Sequence, residues 1–339
     1  MSVKLINCPS LPNIPWEDKP EGCTRPLWRY SANPITKRHP IKDVDRIFNS
    51  ALVPFEGEYA GVFRGDGCDG ISRLYTGHSK DGIHWDFEEE PISFLDENGE
   101  PFQPRYAYDP RVVPIEDGYY LVMWCTDFYS PAIGLAKTKD FKTYTRLENP
   151  FLPPNRNAVL FPRRINGNYI MLSRPSDNGH TPFGDIYLSE SPDLTYWGKH
   201  KHVMAPTKGW QSLKIGGGAS PIETSEGWLM FYHGVSGTCN GYVYSIGGAI
   251  LDLENPSKVL YRCENFLLTP EEWYEERGFV PNVCFPCATI HDPESGKIAI
   301  YYGAADSYVG LAFCKFDEIV DYIKKHSRVT ETDTELGKR

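Results

Sequence analysis

Short apolar runs separated by glycine- and aspartate-rich turns recur along the whole chain. Arg111 to Ile115 is rich in β-branched residues, Glu116-Asp117-Gly118 supplies turn chemistry, and Tyr119 to Cys125 is a second apolar run. That order predicts a β-hairpin. The same pattern returns at 49–66, turning at Gly57, at 157–175, turning at Gly167, at 218–234, turning at Gly227, and at 284–306, turning at Gly296. Successive turn glycines lie 49 to 69 residues apart. Behind four of the hairpins stands a weaker pair of strands, at 73–87, 132–147, 185–200 and 245–263, while the fifth copy, YVGLAFCKFDEI, gives one strand before a helix takes over. Five units of four strands, spaced too widely for a solenoid, predict an all-β fold, a five-bladed β-propeller. The N-terminal segment is expected to supply the strand that the last unit lacks.

The remaining segments add an arm and a helix to this plan. Residues 1–40 carry little periodicity but hold Trp16, Trp28 and Tyr30, as an arm packed on the body or on a neighbouring subunit would. Apolar positions 316, 319, 320 and 323 follow helical spacing and end in Lys324-Lys325-His326, cations at the terminus that the helix dipole favours. A surface helix over 316–326 is expected. The polar stretch 328–339 is expected to be a disordered tail, leaving 1–327 as a single propeller domain.

Composition narrows the function classes. At 339 residues, 40% hydrophobic and 14% aromatic, the chain can bury a sizeable core as one β domain. A formal net charge of −10 argues against nucleic acid or an anionic membrane as partner. The nine scattered cysteines and the absence of a basic-apolar leader at residue 1 point to the cytoplasm. Cys284 and Cys287 form a lone C-x-x-C on an expected inner strand and are read as two buried thiols. No apolar run reaches the ~18 residues of a membrane helix. Neither a metal nor a cofactor is expected.

Candidate chemistry follows from the phase of the repeats. In an antiparallel pair, the start of one strand and the end of the next share an edge. Asp109, expected just before its first strand, and Asp127, just after the second, should therefore face the same way. Across five units, that edge collects Asn49, Arg64, Asp66, Tyr108, Asp109, Asp127, Arg156, Arg174, His233 and Asp306, with Lys214 just upstream of the fourth. Units one, two and five offer carboxylates, and units three and four offer Arg156, Arg174, Lys214 and His233. Up to four basic groups in an acidic protein suit a small oxyanion, phosphate above all. The competing reading is that each cation neutralises a nearby aspartate. Tyr106, Tyr108, Trp124, Phe128, Tyr129 and Tyr242 fall close to the same edge and suit a sugar, although core packing accounts for Trp124 equally well. Glycosidic cleavage ordinarily needs an acid for the leaving oxygen and a base for water. Phosphate is already a nucleophilic anion, so one carboxylic acid and a cationic cradle would suffice.

The stretches YAYDPRV, NRNAVLFPRRINGNY, LSRPSDNGHTPFGDIYLSESPDL, KIG at 214–216, YHGV followed by CNGYVYS, and IAIYYGAAD closely resemble glycoside hydrolase family 130, the inverting β-mannoside phosphorylases. The likeness runs from about Ile14 to His326, and the family's fold is a five-bladed propeller. The resemblance implies that Asp109 is the general acid, acting through the 3-hydroxyl of the mannosyl unit. It places phosphate on Arg156, Arg174, Lys214 and His233 with Tyr242, and mannose on Asn49, Ser50, Arg64, Asp66 and Asp306; Tyr108, from the shared edge, is taken as a further substrate contact. His180 matches an acceptor-side contact. Inorganic phosphate would be a co-substrate, a β-mannoside oligosaccharide the other, α-D-mannose 1-phosphate the product, and a homo-oligomer of up to six chains the expected assembly. The acceptor side looks most like members acting on β-1,4-mannooligosaccharides or mannosyl-N-acetylglucosamine, with members acting on β-1,2-mannosides as the alternative. GVFRGDGCDGISRLY and KIGGGASPI depart from the family pattern without removing a charged group. An inverting β-mannosidase, with Asp66 or Asp306 as base, and a propeller that only binds mannosides stand as alternatives.

Overall fold

The computed structural model describes residues 3–11, 13–127, 130–176, 179 and 183–329. Among these the strands form five sheets, each a blade of one propeller. Blade 1 runs Val44–Phe55, Glu58–Gly67, Ser72–Ser79 and Asp86–Phe87 from the channel outward. Blade 2 runs Ala107–Pro114, Tyr120–Asp127, Pro131–Thr138 and Tyr144–Leu147; its outer edge gains Phe94–Leu95 and Pro101–Phe102, which the four-strand expectation lacked. Blade 3 comprises Asn155–Leu160, Tyr169–Pro175, Ile186–Ser191 and Gly198–Met204. In blade 4 the innermost strand is split into Lys214–Gly217 and Ile222–Thr224, both paired with Gly227–Thr238, ahead of Gly241–Leu251 and Val259–Arg262. Blade 5 has Cys284–Asp292, Lys297–Ala304 and Tyr308–Lys315, and its outermost strand is the N-terminal Trp28–Arg29, paired with Phe313 and Ala312. The ring thus closes with both chain ends in one blade.

The second strands of the blades read as nearly continuous apolar runs because both of their faces are buried, each against a different neighbour. In blade 5, Ile298, Ile300, Tyr302 and Ala304 pack toward blade 4, while Ala299 and Tyr301 pack toward blade 1. In blade 2, Val122 and Trp124 face blade 1, and Leu121 and Met123 face blade 3. Blade 4 sends Leu229 and Phe231 to blade 5, and Trp228, Met230 and Tyr232 to blade 3. Trp124 is thereby a core residue, 2% exposed and stacked on Phe94 at 4.5 Å, rather than a sugar platform.

The turn into the fourth strand repeats chemically in blades 1 to 3. The hydroxyls of Ser79, Thr138 and Ser191 accept the N–H three residues on, and Asp81, Asp140 and Asp193 accept the next backbone N–H groups. Trp85, Tyr144 and Trp197 then fold back onto the carbonyls of Gly82, Phe141 and Leu194. This local capping explains the recurring [ST]-x-D followed by an aromatic residue.

The arm packs on the body through Trp16, which contacts Trp28 and Phe313. Arg29 clasps the fully buried Glu275 with two donors, at 2.7 and 2.8 Å, and Glu275 also accepts the Tyr302 hydroxyl at 2.7 Å. The C-terminal helix spans Phe316–Lys325 and buries Phe316, Ile319, Val320 and Ile323, the face its spacing predicts. Arg328, expected in the tail, donates its backbone N–H to Arg262 and pairs with Glu264; residues 330–339 lie outside the described residues. Cys284 and Cys287 are both buried, and all nine cysteines are free.

Candidate active site

Every innermost strand is interrupted at the same level. Register shifts occur around Asn49, between Tyr108 and Arg111, between Arg156 and Val159, and between Pro286 and Ala288; in blade 4 the strand breaks after Gly217. Asn49, Asp109 and Asn157 take positive φ of 46, 52 and 56°, a conformation that Asn and Asp tolerate best among residues with a side chain. A bulge re-aims the side chain it carries, here into the channel. Asp109 therefore lies inside its strand, at the bulge, and not just ahead of it as the sequence pattern placed it; Asp127 is the last residue of the partner strand. Asp306 follows the second strand of blade 5, also at positive φ, 47°.

Blades 1 and 2 make the acidic side. Asn49 Nδ2 donates to Asp109 Oδ1 at 2.6 Å, and Arg64 Nη1 donates to the same oxygen at 3.1 Å. Among the described residues Oδ2 takes no hydrogen bond. Arg64 Nε also binds Asp66 Oδ1 at 3.0 Å, and Asp66 is further held by Ser72 and Arg46. The Arg64 guanidinium lies over Phe48 at 4.3 Å and Tyr108 at 5.4 Å, which fixes its plane. Gly303 of blade 5 makes room for the Asn49 amide: a Cβ there would stand 1.6 Å from Asn49 Oδ1. Burial lifts the Asp306 carboxyl to about 7, with Asp109 and Asp66 pushing the same way and Arg64 opposing.

Blades 3 and 4 make the basic side. Arg156 Nε donates to the Tyr108 hydroxyl at 3.1 Å, and Arg174 Nη1 stands 2.9 Å from His233 Nε2. His233 is wholly buried, and burial, then Arg174, Arg111 and Lys214, hold its imidazole far below the usual range. It is therefore neutral and accepts from Arg174. Lys214 Nζ lies 5.4 Å from the Tyr242 ring and 5.6 Å from that of Tyr244; burial, then Arg174 and Arg156, lowers its ammonium to about 8. Gly216 allows Arg174 and His233 to meet, since a Cβ there would be 2.5 Å from His233 Cε1 and 3.1 Å from Arg174 Nη1. Among the described residues none of Arg156, Arg174 and Lys214 has a carboxylate within ion-pair distance. The reading in which each cation neutralises an aspartate fails for these three and, at this mouth, holds for Arg46 and Arg64.

Most of the residues singled out by the repeat phase share this space. Asp109 contacts Asn49 and Arg64 directly; Ser50 is wholly buried beside Asn49; Arg64 bridges Asp66 to Asp109; and Tyr108 joins the acidic side to Arg156. Tyr242 stands at the rim, 54% exposed, on the part of the blade 4 hairpin that extends past Lys214. His180, Phe128 and Tyr129 lie outside the described residues. Sequence phase missed Arg46, Ser72, Arg111, Asn157, Tyr244 and Phe285. Asn157 was within reach, because it occupies in NRNAV the bulge position that Asn49 and Asp109 hold in their own blades. Tyr244, two residues from Tyr242, follows from strand alternation. Among the described residues no group of three or more His, Cys, Asp or Glu side chains could hold a metal, and no helix is long and apolar enough to cross a membrane.

Known proteins give this geometry a context. The chain is 55% identical over 336 residues to the β-1,4-mannooligosaccharide phosphorylase of Ruminococcus albus, covering 97% of this chain and 100% of that one. It is 33% identical over 309 residues to the 1,2-β-oligomannan phosphorylase of a Thermoanaerobacter species, covering 86% and 98%. The solved β-1,2-mannobiose phosphorylase of Listeria innocua, in complex with β-1,2-mannobiose, superposes with a TM-score of 0.78 at 27% identity, covering 88% of this chain and 99% of that one. The model of the family described as β-1,4-mannooligosaccharide phosphorylase matches residues 10–325, and the chain belongs to glycoside hydrolase family 130.

Proposed function

We propose that the protein cleaves β-mannosides, β-1,4-linked mannooligosaccharides in particular, with inorganic phosphate, inverting the anomeric carbon and releasing α-D-mannose 1-phosphate. The observation that carries this reading is a set of basic groups, Arg156, Arg174 and Lys214, that among the described residues have no carboxylate partner and stand across from one carboxyl, Asp109, whose Oδ2 takes no hydrogen bond there. Cations that are buried, as Arg174 is, or half-buried, as Arg156 and Lys214 are, and that lack a counter-ion among the described residues are costly, and a dianion bound among them would relieve that cost. The 55% identity to a β-1,4-mannooligosaccharide phosphorylase supports the linkage. The mannosyl unit would lie between Asn49, Arg64 and Asp306, with Asp109 supplying the proton for the departing oxygen and phosphate attacking from the basic side. No further cofactor is required for this chemistry. Nine free cysteines accord with a reducing compartment such as the cytoplasm.

A hydrolytic reading needs a base to deprotonate water opposite Asp109. Asp66 is committed to Arg64, Arg46 and Ser72. Asp306 has its charge interactions with Arg64, Asp109, Asp66 and Arg46, and with Tyr244. Neither is ion-paired with Arg156, Arg174 or Lys214 among the described residues. The deciding measurement is turnover of β-1,4-mannobiose with and without phosphate. Mannose 1-phosphate formation that stops when phosphate is withdrawn supports phosphorolysis, whereas free mannose at an undiminished rate would make the protein a mannosidase. Asp109→Asn should leave the fold intact and lower the rate by roughly 10² to 10⁴, the worth of a positioned general acid. The loss should shrink on a nitrophenyl mannoside, whose leaving group needs little protonation. Equal losses on the two substrates would make Asp109 a binding group.

A further inference from the structure

Beneath the site the channel is crossed by one side chain that the proposed reaction does not use. Arg111 follows the blade 2 bulge, is 3% exposed, and spends its donors on main-chain oxygens. Nη1 donates to Pro110 O at 2.8 Å, Nη2 to Pro286 O at 3.2 Å, and Nε to Gly218 O. These carbonyls sit at the strand interruptions of blades 2, 5 and 4. A bulge takes a carbonyl out of its ladder, and the planar fork of a guanidinium can satisfy several such oxygens at once. Arg111 is therefore a floor that ties the innermost strands of blades 2, 4 and 5 together.

Its charge is as informative as its contacts. Among the described residues no carboxylate pairs with Arg111, so a buried cation is held by dipoles alone. The guanidinium lies 5.1 Å from the Phe285 ring, and Phe285 in turn packs on His233 at 4.6 Å. His233 receives Arg174 at 2.9 Å. A continuous stack thus runs from the floor to the basic side, while on its own strand Arg111 is two residues from Asp109.

We propose that Arg111 is a positioning residue for the reaction, holding Asp109 and the Arg174–His233 pair at a fixed spacing across three blades and adding a buried positive charge beneath the phosphate. The inference rests on the phosphorolysis reading. A lysine at 111 would keep the charge but lose the three-way fork, and a methionine would lose both. These roles separate in kinetics. Arg111→Met should raise the KM for phosphate by about tenfold or more, the effect of a unit charge removed near a dianion in a partly buried site. It should also lower kcat by about 10², as a displacement near 1 Å of a catalytic group does. Arg111→Lys should restore most of the phosphate KM and little of the kcat. Should neither variant fold, Phe285→Leu breaks the stack while leaving every carbonyl contact, and should raise the phosphate KM several-fold at near-normal melting temperature.

The measurement is steady-state phosphorolysis of β-1,4-mannobiose at varied phosphate, with rates taken per folded molecule from circular dichroism melts. Folded variants with wild-type kcat and phosphate KM would reduce Arg111 to a structural tether, as would an unchanged Phe285→Leu protein where only that variant folds. A wild-type enzyme indifferent to phosphate would instead overturn the phosphorolysis reading, and this inference with it.

Discussion

One glycine and two titrating groups make the site sensitive to small changes. Gly216→Ala inserts a methyl where Arg174 and His233 meet, at 3.1 and 2.5 Å from their nearest atoms. It should weaken phosphate binding by roughly tenfold, the worth of one charge-assisted hydrogen bond, with mannoside binding little altered; isothermal titration of each ligand separates the two. Lys214, titrating at about 8 because burial and two arginines disfavour its charge, should give the kcat/KM for phosphate an alkaline limb near that pH. Lys214→Arg, whose charge persists, should move the limb upward; a limb that stays in place belongs to another group. Asp306 acts on stability. Its carboxyl is raised to about 7 in the fold, so the folded state keeps a proton that the unfolded chain has already lost near 3.8. The resulting stabilisation is complete below the unfolded value and is lost as pH rises through about 7. Urea midpoints of the ligand-free protein should therefore fall between pH 5 and 8, by a component that Asp306→Asn removes.

At the level of elements, the clasp between the N-terminal strand and the body is the contact most exposed to a single change. Arg29→Met would leave Glu275, fully buried, without its cation, at a cost of about 3–5 kcal/mol. Chemical denaturation should show that loss; a change under 1 kcal/mol would mean that Tyr302 and the backbone N–H groups suffice to hold the carboxylate. The hairpins themselves were legible from alternation and turn residues, and so was the helix at 316–325, because each is decided by neighbours in sequence. The bulges were not. Whether Asp109 precedes its strand or interrupts it depends on Arg64 and Asn49, contributed by another blade, and on carbonyls that Arg111 collects from blades 4 and 5. The added Phe94–Leu95 strand escaped notice for a similar reason, since two residues carry no period and the pairing partner, Tyr144–Thr145, lies 50 residues away.

For the molecule as a whole, the ring was readable because five hairpins in phase can bury both faces of their second strands in few other ways. The division of charge by blade was equally readable, as was the gathering of Asn49, Arg64, Asp109, Arg156, Arg174 and His233 at one mouth. What sequence left open was whether the cations were spoken for, and only the spatial placement of Asp66 and Asp306 answers that. The same placement makes the acid and the cradle products of different parts of the chain, so a folded fragment lacking blades 3 and 4 would bind no phosphate.

The joining of Trp28–Arg29 to Phe313 and Ala312 bears on how the chain reaches this state. The residues that complete the last sheet are separated by most of the polypeptide, and contacts of such long sequence separation form late and slowly. During synthesis the first strand to emerge has no partner until the last has left the ribosome, and from then until the two join Tyr308–Lys315 presents an open edge of the kind that invites pairing between molecules. Chaperone dependence and aggregation during expression should therefore track the speed of this final stitch, and mutations in residues 28–35 should depress yield more than they depress the activity of the protein that does fold.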